Sequence, residues 1–425
     1  MLSRLKKLDT PLFRDSSIYY LGNFFLNFFR YLFHLLLLRL LSPEDYGEFL
    51  TYLSLMYLLA IPSGTITGVV TKAVSEFVGK KDGQSLNLFF YQIIKKTFLA
   101  TLLLSICLLA FSGYLSVIFK AHQLAFIVLG IGVILTLFQT VSSSYLSGLQ
   151  LFVFQTILGF LGVILTISIS FLAIRMGYGP GGAVIGQTLA ALITTLIAYL
   201  KIKKYIYPLK KGKVKFLFNL KNFTGFSFIN SVGVMSLISV DILMVRVLLS
   251  LQDSGIYSTL SVISRTVLFG LTPISSLLLP IAAKKASEGK NHFLVFLKLG
   301  LVMVILSSIA IAIFSFFPKF IIHLFSGASH PTTVFLLPIF ALCMVLFALN
   351  QFLLTYLMSI NKQKSNLFLL IIALAQPALI YLFKYSLHSV VLCNLFLQIT
   401  LLTTLMVVYL KPISSSVKNN NDHVS

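Results

Sequence analysis

The chain has 425 residues, of which 58% are hydrophobic and only 10% are charged, and its formal net charge is +22. Soluble domains have about a quarter charged residues, so this composition excludes a soluble globular protein. The apolar residues occur in repeated runs of roughly twenty, the length that crosses a hydrocarbon core of about 30 Å. The sequence therefore predicts an all-α integral membrane protein that crosses the membrane many times.

About twelve transmembrane helices are expected, separated by segments rich in Gly, Pro and charged residues. The first six run near 18–41, 46–73, 88–119, 122–146, 151–174 and 180–200. The second six run near 223–249, 255–283, 293–317, 331–359, 365–385 and 386–410. We therefore expect an N-lobe at 1–200, a basic linker at 201–222, a C-lobe at 223–410 and a tail at 411–425.

Basic residues are distributed unequally between the two sides of this arrangement. If the N-terminus is cytoplasmic, twenty-five Lys and Arg residues lie on the cytoplasmic side, and Lys120, Arg175, Lys319 and Lys384 lie outside. The positive-inside rule then predicts that both termini and the basic linker are cytoplasmic. The net charge is explained by topology and by contact with anionic membrane lipids, so no nucleic-acid partner is expected.

The first predicted span contains four polar residues on one helical face. Asn23, Asn27, Arg30 and His34 are spaced by four, three and four residues, which places them in one stripe. A charge at the centre of a bilayer costs roughly 2.5–3.5 kcal/mol on insertion scales. We therefore expect this stripe to face a cavity or a polar partner rather than lipid.

Spans seven and eight have similar stripes, which contain Asn230 and Asp241 in the first case and Ser258, Ser261, Arg265 and Thr272 in the second. Because Arg30 and Arg265 are too deep for easy snorkelling, we expect them to bind a ligand in a cavity. The alternative is a buried pair with Asp241 that holds one conformation together. Asp241 and His34 are the candidates for ion coupling, since both can change protonation with their surroundings.

Arg39 and Arg246 lie near the predicted outer ends of spans one and seven. Their position fits either of two roles, a ligand contact or an anchor at the membrane interface. Glu44, Asp45 and Asp253 are near enough in sequence to form a salt bridge at these helix ends. No Cys or His residues have the spacing of a metal site, and no metal is expected.

The two halves of the chain repeat each other weakly. A shift of 207 residues places Asn23 on Asn230, His34 on Asp241 and Arg39 on Arg246, and after one inserted residue Gly47 falls on Gly255. Because each half has six spans, the repeat is parallel. Paired bundles of this kind commonly hold a substrate site at their interface and alternate its access by rocking.

Several segments resemble the polysaccharide-exporter proteins, the O-antigen and capsule-type flippases of the MATE-like superfamily. They are LLLLRLLSPEDYGEFL (35–50), VDILMVRVLLSLQDSGIYS (240–258), LLLPIAAKKASEGK (277–290), YLSGLQ (145–150), GPGGAVIGQTLAALITTLIAYL (179–200) and YLMSINKQKSN (356–366). The resemblance implies two six-helix lobes around a central cavity lined mainly by spans 1, 2, 7 and 8. It also implies translocation of undecaprenyl-pyrophosphate-linked oligosaccharides across the bacterial inner membrane.

On this basis we expect the substrate to be bound by Arg30, Arg265, Asn23, Asn27, Arg39 and Arg246. Guanidinium groups suit a lipid pyrophosphate because their planar donors match phosphate oxygens and stay charged. The coupling ion at Asp241 and His34 is H⁺ or Na⁺, and no other cofactor is expected. A polysaccharide polymerase and a chain-length regulator are expected as protein partners.

Three other classes of protein are alternatives to a flippase of this type. A multidrug exporter or a lipid II flippase has the same architecture, and only the quoted motifs disfavour it. A membrane glycosyltransferase, polymerase or ligase is less expected, because the longest loop, 201–222, contains no acidic residue, His or Cys. No Walker motif is present. A scaffold protein leaves the intramembrane arginines unexplained.

Overall fold

The computed structural model describes residues 10–80, 82–205, 220–287, 291–327, 330–360 and 362–410. All regular structure in these residues is helical, and they contain no β-strand. The predicted tail at 411–425 and most of the predicted basic linker, 206–219, lie outside the described residues. An all-α fold is therefore confirmed for the part of the chain that the structure describes.

The first half of the chain forms eight α-helices. They are α1 (Thr10–Leu40), α2 (Pro43–Leu59), α3 (Pro62–Gly79), α4 (Gly83–Ala110), α5 (Ser112–Ile118), α6 (Gln123–Gly148), α7 (Phe152–Ala173) and α8 (Gly179–Lys203). A π-helical turn, Ile174–Tyr178, separates α7 from α8. The helices cover the six spans predicted for this half.

The second half forms seven α-helices over its described residues. They are α9 (Leu220–Leu248), α10 (Leu251–Ser287), α11 (Phe293–Phe316), α12 (Pro318–Ser326), α13 (Pro331–Ser359), α14 (Asn366–Leu382) and α15 (Leu387–Leu410). A short 3₁₀ turn, Gln363–Ser365, precedes α14. Each span predicted for this half corresponds to one long helix, and α12 is an additional short helix.

Two predicted spans are interrupted. The second span consists of α2 and α3, which meet at a bend of 46°. Pro62 begins α3, and a proline has no backbone N–H with which to continue a helix. The third span ends at Ala110, and after Phe111 the chain continues as the separate short helix α5. At the start of α4, hydrogen bonds from Ser85 hold the pKa of the capping carboxyl of Asp82 below its usual range.

Eight helical stretches in the described residues are long and apolar enough to cross a membrane, and the bent pair α2 and α3 raises this number to nine. One of the eight, 152–203, contains both α7 and α8. The chain reverses between them at Gly177 and Gly179, which have φ angles of 91° and 50° that favour glycine. The two helices then pack closely, since a Cβ on Gly186 would lie 2.0 Å from Ser170 Oγ.

The chain divides into two compact units. The first unit contains residues 1–41 and 48–231, and the second contains 42–47 and 232–425. The boundary between Ser231 and Val232 lies within α9. Residues 42–47, which include the start of α2, belong to the second unit although their neighbours in sequence belong to the first.

The first unit has an apolar core that joins α3, α4, α6 and α8. Val74, Phe90 and Leu146 are buried there together with Tyr145. The Tyr145 hydroxyl donates a hydrogen bond of 2.6 Å to the backbone carbonyl of Leu86, so its polar atom is satisfied inside the core. This packing fixes α6, whose opposite face carries the polar residues described below.

Candidate functional site

A cavity of about 310 Å³ lies within the first unit and is lined by residues of α1, α3, α6, α7 and α8. Most of its lining is polar and neutral, and consists of hydroxyl and amide side chains. The lining residues that matter most here are Asn23, Arg30, Gln139, Ser143, Ser147 and Gln155. Arg30 is the single charged residue among those that line it in the described part of the chain.

The stripe predicted on α1 is distributed over different surroundings. Asn23 and Arg30 line the cavity. Arg30 is exposed, and its Nη1 donates a hydrogen bond of 3.3 Å to Oδ1 of Asn27. His34 lies between aromatic rings, with 6.0 Å between ring centroids to Phe33 and likewise to Phe49. The structure thus brings Asn23, Asn27 and Arg30 together near the cavity and gives His34 aromatic neighbours.

The wall of the cavity opposite α1 is formed by a polar face that the sequence analysis does not single out. Gln139, Ser143 and Ser147 follow each other at intervals of four on α6 and therefore share one face. Gln155 of α7 faces them, because its Nε2 donates to Ser143 Oγ at 2.7 Å and its Oε1 accepts from Ser147 Oγ at 2.8 Å. The interval of four between these polar residues was the signal available in the sequence.

Within the second unit, Asp241 is buried at the end of a chain of hydrogen bonds. Its Oδ2 accepts from the Tyr257 hydroxyl at 2.6 Å, and this hydroxyl accepts from Nδ2 of Asn394 at 2.7 Å. Oδ1 of Asn394 accepts in turn from Nε2 of Gln376 at 2.9 Å. Four helices, α9, α10, α15 and α14, are therefore connected through side chains to one buried carboxyl group.

A void of about 10 Å³ adjoins this carboxyl group and is lined by Asp241, Cys343, Asn394 and Gln398 among others. A volume of that size is about the minimum for one water molecule. Gln398 is held in place by Asn350, whose Nδ2 donates to Gln398 Oε1 at 2.9 Å. The carboxylate and amide oxygens around the void are suitable partners for a proton carrier or a small hard cation.

Arg265 is buried next to this cluster and interacts electrostatically with Asp241. Its Nη2 donates to the backbone carbonyl of Ile238, and its Nε is buried without a hydrogen-bond partner among the described residues. The buried hydroxyls of Ser258, Ser261 and Ser264 on the same helix also have no partner there. In this conformation Arg265 therefore connects α10 to α9 through the Ile238 carbonyl. It is also buried beside Asp241, with which it interacts electrostatically.

Arg39 and Arg246 have different surroundings although the repeat places one on the other. Arg39 is exposed at the end of α1. Arg246 is 1% exposed, and its Nη1 donates to the backbone carbonyl of Glu44 at 3.3 Å. Both residues of that contact belong to the second unit. Anchoring at the membrane interface therefore fits Arg39, whereas Arg246 is enclosed by protein.

A buried acidic residue that the sequence analysis overlooks is Glu48 of α2. Its Oε1 accepts hydrogen bonds from the Tyr52 hydroxyl, from the backbone N–H of His122 at 2.9 Å and from His122 Nδ1 at 2.7 Å. This contact fastens α2 to the start of α6. No group of three or more His, Cys, Asp or Glu side chains in the described residues has the arrangement of a metal site.

Comparison with solved structures shows the fold. The chain matches an inward-facing multidrug-resistance MATE family transporter of the MOP superfamily with a TM-score of 0.77 and 14% identity, over 92% of this chain and 96% of that one. An outward-facing transporter of that family matches with a TM-score of 0.63 and 16% identity, over 95% and 94% of the two chains. A MOP superfamily transporter from Pyrococcus furiosus, described as having a binding pocket of reverse polarity, matches with a TM-score of 0.60 and 16% identity, over 93% of each chain.

These helices and their similarity to solved transporters define a multi-pass membrane protein with the fold of the MATE-like transporters. A family model described as polysaccharide biosynthesis protein matches residues 12–285, which is more than half of the chain. The chain therefore belongs to the polysaccharide biosynthesis protein family, and the resemblance stated from its sequence motifs is confirmed. A sequence search of curated proteins gives no match.

Proposed function

We propose that the protein is a flippase for undecaprenyl-pyrophosphate-linked oligosaccharides. In this proposal it translocates O-antigen, capsule or exopolysaccharide repeat units across the bacterial inner membrane by alternating access. Its membership of the polysaccharide biosynthesis family and its transporter fold support a transport role in glycan assembly. A polysaccharide polymerase and a chain-length regulator are the protein partners expected to act next, and anionic lipids are the expected surroundings of its basic loops.

The observation that carries this proposal is the position of Arg30. Among the described residues it is the one charged residue that lines the cavity of the first unit, and neutral amides and hydroxyls line the cavity with it. A guanidinium pairs bidentately with phosphate or carboxylate oxygens and is charged at any working pH. Asn27 is in position to orient it through the 3.3 Å hydrogen bond. This arrangement favours an anionic, polar cargo.

The same lining disfavours the alternative function, that of a multidrug exporter of the same superfamily. A cavity that accepts cationic drugs needs acidic or aromatic side chains to stabilise the positive charge. In the part of the chain that the structure describes, the residues that line this cavity include no acidic and no aromatic side chain. A lipid II-type cargo also carries a lipid pyrophosphate, so experiment rather than the charge of the lining separates it from a polymer repeat unit.

Ion coupling is proposed to reside at Asp241. Binding of H⁺ or Na⁺ there changes the hydrogen bonding of Tyr257, Asn394 and Gln376, and so changes the packing of α9, α10, α14 and α15. An ion shifts a conformational equilibrium only by its difference in affinity between the two states. A buried carboxyl group in a network that can rearrange supplies such a difference.

The test is to remove the protein from cells of its source and to measure lipid-linked oligosaccharide in their membranes. We expect undecaprenyl-linked glycan to accumulate and surface polysaccharide to disappear, with both restored by the wild-type gene. Drug susceptibility and lipid II levels are measured in the same cells. Unchanged lipid-linked glycan together with greater drug sensitivity would overturn the proposal in favour of a multidrug exporter.

A further inference from the structure

The polar wall formed by α6 and α7 has hydrogen-bonding capacity that no group of the described residues uses. Gln155 donates one N–H to Ser143 and accepts one hydrogen bond from Ser147. A primary amide has two N–H donors and two acceptor positions, and a hydroxyl can donate once and accept twice. All three side chains line the cavity, so the capacity that they do not use between them is available to a ligand there.

The capacity that faces the cavity is of both kinds. Ser143 accepts from Gln155, so its own O–H is available to donate, whereas Ser147 donates to Gln155 and its lone pairs are available to accept. Gln139 donates from Nε2 to Thr194 Oγ1 at 3.0 Å, which leaves its carbonyl oxygen as a further acceptor. A wall that offers donors and acceptors side by side matches ligand hydroxyls, since each hydroxyl also donates and accepts.

A wall with both donors and acceptors favours a sugar over a bare diphosphate as the ligand. Phosphate oxygens near neutral pH are almost purely acceptors, and they leave the acceptor atoms of Ser147 and Gln139 unpaired on burial, at a cost in free energy. Arg30 supplies one positive charge from α1, so one anionic group on the ligand is matched. The volume of about 310 Å³ is at the lower end for small-molecule sites, about 300–1,000 Å³, and suits a monosaccharide better than a longer glycan.

We propose that the cavity of the first unit is a subsite for a single sugar residue that bears an anionic group. Gln155, Ser143 and Ser147 hydrogen-bond its hydroxyls, and Arg30 pairs with its carboxylate. This inference rests on the proposed function, because it assigns the subsite to one residue of the transported glycan. It goes further by naming an acidic sugar and the residues of α6 and α7 that select it.

The test uses the purified full-length protein in lipid nanodiscs and saturation-transfer NMR at millimolar ligand concentrations. The probes are methyl β-glucuronide, neutral methyl β-glucoside and inorganic pyrophosphate. We expect saturable binding of the glucuronide that is about tenfold tighter than that of the glucoside, the effect of one charge-assisted hydrogen bond. Arg30→Gln should remove that preference, and Gln155→Leu should weaken the binding of both sugars.

Controls separate the loss of a contact from the loss of folding. Gln123→Leu removes an exposed amide of the first unit, whose Nε2 donates to Ser112 Oγ at 3.3 Å outside the cavity, and it should leave sugar binding unchanged. Ser147→Ala is a smaller change that still removes an acceptor, and it replaces Gln155→Leu if that variant does not give a monodisperse protein. Thermal unfolding is recorded for every variant.

Each other outcome is decisive. Binding of pyrophosphate that displaces the glucuronide while the neutral glucoside shows no binding would assign the cavity to a diphosphate and overturn the sugar subsite. Sugar signals no stronger than those of glycerol in the folded wild type, or signals unaffected by Arg30→Gln and Gln155→Leu, would also overturn it. Because binding is measured without transport, failure of the subsite is distinguishable from failure of the flippase proposal, which is judged by lipid-linked glycan in cells.

Discussion

The Tyr257 hydroxyl donates a hydrogen bond of 2.6 Å to the buried carboxyl group of Asp241. The internal repeat places Asp241 on His34 and Tyr257 on Phe49. The equivalent contact in the first half is between His34 and Phe49, whose ring centroids are 6.0 Å apart. The same position in the two halves therefore holds a hydrogen-bonded acid in one and an aromatic contact in the other. The second half therefore holds the carboxyl group to which we assign ion coupling.

We predict that Asp241→Asn removes the response of transport to ion gradients. The amide keeps the shape and an acceptor for Tyr257 but can neither take up a proton nor balance a Na⁺ charge. The measurement is flipping of lipid-linked oligosaccharide in proteoliposomes under imposed pH and Na⁺ gradients. Tyr257→Phe is the companion variant, and it should cost about 1–3 kcal/mol of stability because the carboxyl group loses its donor. A wild type that ignores both gradients would contradict the assignment.

Arg30→Ala should reduce export by at least about tenfold, because one charge-assisted contact to the cargo is lost. Surface polysaccharide in complemented cells is the readout, with protein level determined in the same membranes. Arg175→Ala is the matched control, since Arg175 is also exposed but lies over the ring of Phe171 at 5.3 Å and away from the cavity. Normal export by Arg30→Ala at normal protein level would remove Arg30 from the binding site.

Arg246→Ala should act on folding rather than on cargo. Its side chain is almost fully buried and donates to the backbone of Glu44, so truncation leaves a cavity and removes that hydrogen bond, at a cost of about 2–4 kcal/mol. We expect low protein levels and a lower unfolding temperature in detergent. Arg39→Ala, at the exposed position that the repeat pairs with it, should have little effect on either. Stable but inactive Arg246→Ala protein would instead indicate a role in binding.

Gly255→Ala should destabilise the second unit strongly. A Cβ at this position would lie 2.3 Å from the backbone oxygen and 2.5 Å from the backbone carbon of Pro43, and a backbone cannot move aside as a side-chain end can. The expected cost is at least about 2 kcal/mol. Gly270→Ala on the same helix has open space around its Cβ and should be neutral or stabilising by up to about 1 kcal/mol. Comparison of the two unfolding temperatures tests the close approach directly.

Asp82 gives a prediction for pH. Its carboxyl group accepts from the Ser85 backbone N–H at 2.9 Å, and its folded pKa lies below the ordinary 3.8. A lowered folded pKa contributes stability above the unfolded pKa, and this contribution is lost as pH falls through the folded value. Asp82→Ala should cost about 1 kcal/mol at pH 7 and clearly less below pH 3, whereas Asp82→Asn retains a capping acceptor. An equal effect of Asp82→Ala at both pH values would contradict this.

The sequence by itself determined the membrane class, the long helices and the resemblance to the exporter family. These depend on local quantities, since apolar run length and the sites of Gly, Pro and charge decide where a helix forms in a bilayer. Pro62 lies at a bend and Gly177 at a chain reversal. Both are residue types that interrupt helices, so both can be recognised in the sequence. The stripe of Asn23, Asn27 and Arg30 likewise follows from helical spacing.

Only the tertiary structure decided which polar residues meet. The pairing of Gln155 with Ser143 and Ser147, the chain from Gln376 to Asp241 and the place of residues 42–47 in the second unit depend on the rotation and depth of each helix against its neighbours. Those are set by side-chain packing between helices that are distant in sequence. For the same reason Arg39 and Arg246, equivalent in the repeat, have different surroundings. One is exposed at a helix end and the other is enclosed by protein.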